Sequence, residues 1–513
     1  MIFSSYEFIV FLLCVIAIFY AINYFNPRFG RTFLVASSLF FYGYWNPDYL
    51  FLICGSILFN NIFGRLILST RYKRPTLLFG VAVNLTLIAW FKYSGFLAES
   101  INAAIGAGLP VPSVVLPLAI SFFTFQQIAY LVDASRGEST SGNFIDYALF
   151  VTFFPQLIAG PIVHHKEMMP QFFRPGSMNP RWLNLAVGLT IFTLGLFKKV
   201  IIADSMAPYA DALFQSSDSG GDPGFIQAWL GVFAYAFQIY FDFSGYSDMA
   251  VGIARMFGIR LPINFNSPYK SASIIEFWRR WHITLSRFLR DYLYIPLGGN
   301  RRGKQQRYVN LTITMLLGGL WHGAGWTFVV WGGLHGAFLC INHGWRALAR
   351  RNAMLSEATA TKTWRAFSIG LTLFAVLVAW VFFRSTTFSG ATRVLRGMAG
   401  MNGPGTARGP AEWLTLGAPA SLLESIGIPQ TLVYDFGVFE QAVLVIALLV
   451  VVFSLPNTLE FMARYRPTVE PIRARASRIS WRPTLRWALA ITAVLMISVL
   501  GMSKVSPFLY FQF

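Results

Sequence analysis

The 513-residue chain is 55% hydrophobic and only 12% charged, whereas soluble globular proteins carry roughly 25% charged residues. This composition excludes a soluble enzyme and predicts an integral membrane protein, with length for about ten to twelve crossings of roughly 20 residues each. A net charge of +19 is also typical of proteins that bind nucleic acid. Here, however, the basic residues lie in loops beside apolar segments, where they favour the cytoplasmic face of the membrane and contact with anionic lipid. We therefore expect one membrane domain, 1–513, and no nucleic-acid partner.

The apolar segments of the first half predict spans. In chain order they lie at 8–24, 33–44, 49–68, 76–91, 114–131, 144–163, 185–202 and 225–257. Segment 144–163 contains Pro155 and Pro161, which predict a kinked or broken helix because proline removes a helical hydrogen bond. Segment 225–257 is too long for one simple crossing and has a polar middle.

Charge predicts the topology of the second half. Residues 270–307 carry nine basic and two acidic side chains, so the positive-inside rule places them in the cytoplasm, and 346–365 is basic again. Two full crossings need about 40 residues, so short, tilted or re-entrant helices are predicted between these two basic segments. The remaining predicted elements are a crossing at 367–383, an external segment at 385–435, a crossing at 436–453, a cytoplasmic segment at 460–486 and a last crossing at 487–501.

Segment 311–335 is the most unusual part of the sequence. It is apolar enough for a bilayer, yet it contains His322, His335 and six glycines. An ionisable ring at membrane depth costs free energy and usually faces a cavity or a pathway, while glycines let helices approach closely or break. We predict a polar reaction or transport site around His322. For His335 and His343 the simpler interpretation, a ring that donates to a backbone carbonyl, is kept.

Segment 277–300 combines tryptophans, arginines and His282. Helical periodicity over 277–293 places aromatic and leucine side chains on one face, which predicts an amphipathic helix at the membrane surface. The arginines that can hold the phosphates of a cytoplasmic donor such as coenzyme A are Arg279, Arg280, Arg287 and Arg290. A simple interfacial anchor is the alternative, and His282 among the tryptophans favours the binding site.

Two further polar pairs have a structural interpretation. Asp242 and Asp248 lie in an apolar run, and a network at a helix break, paired with an arginine such as Arg255, is favoured over direct catalysis. His164 and His165 are adjacent, but no carboxylate–histidine cluster completes a metal site. A loop pair at an interface is favoured, and no metal is predicted.

Long ordered motifs extend over most of the chain. They are FFPQLIAGPI (153–162), DFSGYSDMA (242–250), NFNSPY (264–269), FWRRWHITLSRFLRDYLYIPLGGN (277–300), GGLWHGAGWTFVVWGGLHG (318–336) and the terminal SPFLYFQF (506–513). Together they resemble the membrane-bound O-acyltransferase family and, within it, the bacterial alginate O-acetyltransferase branch.

The resemblance implies an all-α, polytopic membrane fold of about eleven transmembrane helices, with re-entrant and interfacial helices around a central tunnel and a funnel open to the cytoplasm. The catalytic core would extend over about 113–345. The family's near-invariant histidine maps onto His322, and its second polar position maps onto His282. Systems of this kind pass acetyl from cytoplasmic acetyl-CoA across the bacterial inner membrane. A periplasmic SGNH-hydrolase-type acyltransferase, working with polysaccharide assembly proteins, then modifies a polymer. No permanently bound cofactor is implied.

Residues and resemblance together give a mechanistic hypothesis. His322 acts as general base on an acceptor hydroxyl, and His282 polarises the thioester carbonyl or positions the donor. No serine or cysteine lies in a convincing nucleophile setting, so direct transfer is favoured over an acyl-enzyme. Tyr510 in the terminal aromatic tail is a candidate to receive acetyl, with an interfacial aromatic anchor as the alternative.

The sequence leaves the substrate class open. Alginate or a similar exopolysaccharide is the first expectation, and cellulose, peptidoglycan or a teichoic-acid-like polymer are the alternatives. A secondary transporter is a different class that broken helices and midplane polar groups also suit, although no paired repeat is visible. A non-catalytic scaffold for polysaccharide export is a third hypothesis.

Overall fold

The computed structural model describes residues 1–139, 143–158, 160–174, 176, 178–404, 430–472, 479–502 and 509, without the side chains of 430–437. Regular structure in these ranges is helical throughout, and they contain no β-strand. This confirms the all-α prediction for the described chain.

The helices of the first half are α1 (Tyr6–Phe25), α2 (Pro27–Gly43), α3 (Tyr49–Ser69), α4 (Lys73–Ile88), α5 (Ser94–Ile105), α6 (Ile120–Ser135), α7 (Phe144–Thr152), α8 (Phe154–Leu157), α9 (His165–Phe173), α10 (Trp182–Phe197), α11 (Asp204–Asp218) and α12 (Phe225–Met256). Two π-helical segments, Ala89–Tyr93 and Lys198–Ala203, join α4 to α5 and α10 to α11. The break predicted within 144–163 is confirmed, because α7 ends at Thr152 before the short α8.

The helices of the second half are α13 (Ile274–Trp278), α14 (Ile283–Leu289), α15 (Gly303–His322), α16 (Trp326–Ala349), α17 (Ala353–Ala360), α18 (Lys362–Arg384), α19 (Phe388–Met398), α20 (Gln430–Ser454), α21 (Thr458–Phe461) and α22 (Leu485–Gly501). The prediction of short helices before the second basic segment was wrong, while their tilted or re-entrant course stays a prediction. Helices α15 and α16 have 20 and 24 residues, because both continue into the flanking basic residues.

Several helices are long and apolar enough to cross a membrane. Five such helices lie in the described ranges: Tyr6–Phe25, Tyr49–Ser69, Lys73–Ile105, Trp182–Asp218 and Lys362–Arg384. Two shorter apolar helices are Val438–Ser454 and Leu485–Gly501. These segments support a multi-pass membrane protein, whereas the expected number of eleven transmembrane helices is not confirmed.

Helix α12 lies at the centre of the fold. Its residues from Ala234 to Met256 are all buried, and it contacts α10, α11, α18, α19 and α20. It is one continuous helix of 32 residues, so the helix break predicted around Asp242 and Asp248 is wrong.

The crossing of α10 and α12 is formed by two reciprocal glycine pairs. A methyl group on Gly188 would lie 2.5 Å from the Gly252 carbonyl oxygen, and one on Gly252 would lie 2.6 Å from the Gly188 oxygen. The pair Gly195 and Gly245 shows the same relation at 2.6 and 2.7 Å. Small residues therefore let the two backbones touch, which is how helices gain van der Waals contact in lipid.

The Gly195→Ala substitution should destabilise the protein by about 1–3 kcal/mol, because the added methyl group overpacks this crossing. The matched control is Gly370→Ala on α18, where the new methyl group meets no atom within 4 Å. Apparent thermal unfolding temperatures in one detergent should fall for the first variant and stay level or rise for the second. Equal temperatures for both variants would contradict the close crossing.

Candidate active site

His322 is the last residue of α15. Helix α15 begins at Gly303 in the basic segment and rises for 19 residues, or about 29 Å at 1.5 Å per residue. Helix α4 begins at Lys73 beside another basic loop, and Lys92, 19 residues further along the same continuous helix, reaches the end of α15. His322 thus lies about one hydrocarbon thickness away from the basic loops, toward the opposite face.

The predicted glycines allow α15 and α16 to pack against each other and reverse direction. A methyl group on Gly319 would collide with the Phe328 carbonyl oxygen, and one on Gly332 would collide with the Met315 carbonyl oxygen. At the reversal, a methyl group on Gly323 would collide with the Phe328 ring. The close approach expected from the glycine content is therefore confirmed.

His282 lies in a tight turn between α13 and α14. The single amphipathic helix predicted over 277–293 is wrong, because the chain breaks at His282, whose φ of 42° is in the left-handed region. Such a conformation costs about 1–3 kcal/mol in a non-glycine residue and persists only where the surroundings hold it. Here the Ile283 amide donates to the Asn264 carbonyl at 3.0 Å, and the Asn266 amide donates to the Arg280 carbonyl at 2.9 Å.

Asn264 orients the His282 ring. Its Oδ1 lies 3.2 Å from His282 Nδ1 and accepts from the Thr284 hydroxyl at 2.9 Å. Its Nδ2 donates to the Ser247 hydroxyl of α12 at 3.2 Å. Because a carbonyl oxygen only accepts, the bond assigns the hydrogen to Nδ1 and leaves Nε2 as the acceptor atom of His282.

The two histidines singled out by the sequence come together. Their ring centroids are 6.4 Å apart, and the exposed fractions are 0% for His282 and 4% for His322. Aromatic rings surround the His322 imidazole: Trp321 at 4.8 Å, Trp331 at 5.0 Å and Phe383 at 5.1 Å between centroids. The pair therefore occupies a buried enclosure lined by aromatic rings, in which electrostatic interactions are stronger than in water.

A cavity of about 80 Å³ reaches His322 from the side of α4 and α6. Its lining includes Lys92, Ser121, Trp321 and His322, together with the loop residues Leu116–Ile120. His322 is thus accessible from one side of the enclosure, as a reacting group requires.

Lys92 and Tyr93, which sequence reasoning missed, hold the end of α15. Lys92 Nζ donates to the carbonyls of Trp321 at 2.6 Å and His322 at 3.1 Å. The Tyr93 hydroxyl donates to the Leu320 carbonyl at 2.8 Å. The available signal was the single lysine in the apolar run TLIAWFKYSGF, since a charge at membrane depth is seldom incidental.

The arginines predicted to bind phosphate are mostly engaged by carboxylates. Arg280 pairs with Glu276 at 2.8 Å, and Arg290 pairs with Asp291 at 2.7 Å. Arg287 bridges Glu167 and Glu470, each at 2.5 Å. Arg279 is exposed, and no ion pair involves it among the described residues.

A larger cavity, about 1220 Å³, lies between α13, α16, α17 and α18. Four cations line it: Arg346, Arg350, Lys362 and Arg365. Trp345 and Trp364 also line it and stack at 5.5 Å between centroids, while Leu334 and Phe338 form its apolar part. This basic cavity combines features that suit a ligand with an anionic head and an apolar end.

His335 and Trp331 lie between the two cavities. The Trp331 ring is 5.0 Å from His322 and 4.8 Å from His335 between centroids. His335 Nδ1 accepts from the Trp278 indole N–H at 3.3 Å, so the predicted bond to a backbone carbonyl is wrong for this residue. The cavities share no lining residue, and the central tunnel stays a prediction.

The buried aspartates pair with lysines rather than with Arg255. Asp242 contacts Lys199 at 2.6 Å, and Asp248 contacts Lys198 at 2.6 Å. Both lysines lie in the π-helical segment after α10, where the wider turn directs them to α12. The preference for a structural role over catalysis is consistent with these pairs, while the predicted partner Arg255 was wrong.

The adjacent histidines of the first half have separate partners. His164 Nδ1 lies 3.0 Å from the Tyr292 hydroxyl, and His165 Nδ1 lies 3.1 Å from the Ser139 hydroxyl. A search of the described positions finds no group of three or more metal-ligating side chains. Each ring therefore contacts a hydroxyl of a different element, and the interface role of the pair stays a prediction.

Known proteins match the chain over most of its length. The model of the membrane-bound O-acyltransferase family matches residues 81–388. A peptidoglycan O-acetyltransferase of Helicobacter pylori is 41% identical over 95% of this chain and 92% of its own. A probable alginate O-acetylase of Pseudomonas putida is 38% identical over 100% of both chains. A teichoic acid D-alanyltransferase of Streptococcus thermophilus is 30% identical over 52% of this chain and 68% of its own.

The two cavities should open on opposite faces of the membrane. In a variant without the three native cysteines, a membrane-impermeant thiol reagent should label Leu116→Cys, at the His322 cavity, from outside intact spheroplasts. Ser356→Cys, at the basic cavity, should react only in inverted vesicles, because the basic loops favour the cytoplasm. Thr124→Cys, at a fully buried position, is the control that should react in neither. Labelling of both cavity positions from one side would contradict this arrangement.

Proposed function

The chain belongs to the membrane-bound O-acyltransferase family, and we propose that it moves acetyl from cytoplasmic acetyl-CoA across the bacterial inner membrane for O-acetylation of an exopolysaccharide, alginate or a similar polymer. The observation that carries this proposal is the pair His282–His322, buried in an aromatic enclosure at the end of a cavity. A separate cation-lined cavity on the basic side suits the donor.

The relatives narrow the class of acceptor without choosing one polymer. The probable alginate O-acetylase matches over the whole chain, which supports an exopolysaccharide. The peptidoglycan O-acetyltransferase matches with slightly higher identity over nearly the whole chain, so peptidoglycan is the second candidate. Both names describe transfer of acetyl to a cell-envelope or extracellular polymer, and that shared chemistry is the core of the proposal.

The arrangement of the two histidines supports direct transfer. His322 takes the proton of an acceptor hydroxyl while the acceptor oxygen attacks the thioester carbonyl carbon. A C–O bond forms, the C–S bond breaks, and the proton passes from the imidazolium to the departing thiolate of coenzyme A. His282, with its hydrogen on Nδ1 bonded to Asn264, positions the donor. Base catalysis of this kind contributes roughly 10²–10⁴-fold.

The basic cavity supports a donor site different from the arginines predicted at 279–290. Guanidinium groups bind phosphate bidentately, and Arg346, Arg350 and Arg365 line this cavity. Its apolar part, at Leu334 and Phe338, leads toward His335. We therefore assign the nucleotide phosphates of acetyl-CoA to the cavity cations and its thioester arm to the apolar end.

The acceptor side supports a partner outside the cytoplasm. The cavity at His322 lies opposite the basic loops, where an SGNH-hydrolase-type acyltransferase and polysaccharide assembly proteins would meet it. Tyr510 lies outside the described residues. The preceding residue, Leu509, is buried, and the Leu509 amide donates to Asp242 Oδ2 at 3.1 Å. The contact of Leu509 with the core supports acyl relay by Tyr510 over an interfacial anchor.

The His322→Ala substitution should abolish acetylation of the polymer in a strain that carries no other copy, because it removes the base. His343→Ala, on the same helical hairpin but outside both cavity linings, is the matched control and should retain normal acetyl content. The measurement is polymer acetyl content by NMR, with protein abundance checked in membranes. Normal acetylation of the polymer by the His322→Ala variant would exclude catalysis by His322 and would favour a non-catalytic scaffold. Uptake of a solute by proteoliposomes without acetyl-CoA would instead favour a secondary transporter.

The double substitution Arg346→Gln and Arg365→Gln should raise KM for acetyl-CoA about tenfold or more, since a hydrogen bond to a charged group contributes about 1.5–3 kcal/mol. The value of kcat should change little, because neither side chain reaches the histidines. Arg290→Gln is the control, since Arg290 already pairs with Asp291. A rise in KM for the control alone would place the donor at the arginines of 279–290.

A further inference from the structure

The end of α15 poses a specific problem, because the helix stops at buried residues: Trp321 is 5% exposed and His322 is 4% exposed. The last four carbonyls of an α-helix have no partner within the helix, and lipid supplies no donor. In α15 these carbonyls belong to Gly319, Leu320, Trp321 and His322. The Gly319 oxygen accepts from the Gly323 amide at 3.4 Å, which leaves three for other parts of the chain.

The π-helical segment Ala89–Tyr93 supplies all three of these donors. Tyr93 donates to Leu320, and Lys92 donates to both Trp321 and His322. A π turn is wider than an α turn and is common at functional sites. The turn lets two consecutive residues reach the end of one neighbouring helix.

The charge of Lys92 distinguishes it from a simple hydrogen-bond donor. Its described partners are carbonyl oxygens, and no carboxylate pairs with it among the described ion pairs. The same ammonium group lines the cavity that reaches His322. A cation at a helix C-terminus is favoured by the helix dipole, and here it also acts on the imidazole that ends the helix.

We propose that Lys92 is a positioning residue of the active site, which fixes the final turn of α15 and, by its positive charge, keeps the His322 imidazole unprotonated and able to act as a base. This deepens the proposed acyl transfer and depends on it for the catalytic consequence. Lys92 and His322 line the same cavity, and the other titratable groups that face the His322 ring are His282, at 6.4 Å between centroids, and His335, across Trp331. A second positive charge on His322 would face the Lys92 ammonium, which is already 3.1 Å from the carbonyl of that residue, in a site where aromatic rings exclude water.

Two measurements on four proteins test the proposal: wild type, Lys92→Met, Lys92→Arg and Tyr93→Phe. The first is the rate of carbethoxylation of His322 by diethyl pyrocarbonate against pH, followed by mass spectrometry, because only neutral imidazole reacts. Lys92→Met should move the midpoint of this profile to higher pH by about one unit or more, as expected for unit charges up to about 12 Å apart at an effective dielectric of about 20. Lys92→Arg keeps the charge and should keep the wild-type midpoint.

Tyr93→Phe is the matched control, since it removes one hydrogen bond to the same helix end and no charge. Its midpoint should equal that of the wild type. An unshifted midpoint in Lys92→Met, or an equal shift in Tyr93→Phe, would overturn the electrostatic role. If Lys92→Met does not fold, as judged by thermal unfolding in detergent, Lys92→Gln replaces it with the same expectation.

The second measurement is release of coenzyme A from acetyl-CoA by the same proteins in proteoliposomes that are supplied with an oligosaccharide as the hydroxyl acceptor of the acetyl group. Lys92→Met should lower kcat about 10- to 100-fold with little change in KM, because a misplaced and partly protonated base slows the chemical step. The acid limb of the kcat–pH profile of Lys92→Met should move to higher pH together with the midpoint of its carbethoxylation profile. Wild-type protein that fails to turn over acetyl-CoA would refute the proposed function, while the carbethoxylation profile would still decide the role of Lys92.

Discussion

The fold depends on one constraint, that a helix ending at buried residues must find partners for its last carbonyl groups within the protein. Helix α15 meets this constraint through two residues of a different helix, Lys92 and Tyr93. The bonds join the π-helical segment Ala89–Tyr93 to the end of α15. They also explain why His322 can occupy a helix end that opens onto a cavity while remaining almost fully buried.

The main features of the site were predictable because they leave local signals in the sequence. A histidine in an apolar run, flanked by glycines, is costly unless it serves a purpose, and this identified His322. Close backbone contact in the hairpin followed from the same glycines, since small residues permit it. The all-helical fold and the break near Pro155 followed from composition and from proline chemistry.

The remaining features depend on contacts between residues far apart in the chain, which periodicity does not reveal. Asp242 pairs with Lys199 rather than with Arg255, because a π turn after α10 directs the lysine toward α12. The helical period over 277–293 was real, yet Asn264 and Asn266 hold His282 in a left-handed turn that divides the segment. Arg287 meets Glu470, 183 residues away, a contact that the charge pattern of 277–300 alone does not reveal.

The position of the Trp331 indole has a consequence for proton conduction through the protein. Its ring contacts both His322 and His335, and the two cavities it separates share no lining residue. A continuous chain of water molecules between the two cavities would conduct protons between the two imidazoles. It would thereby dissipate the transmembrane proton gradient that drives ATP synthesis. A flat, uncharged ring at this point interrupts such a chain. For the proposed function, this placement would let the base face one side of the membrane without a path for protons to the other side.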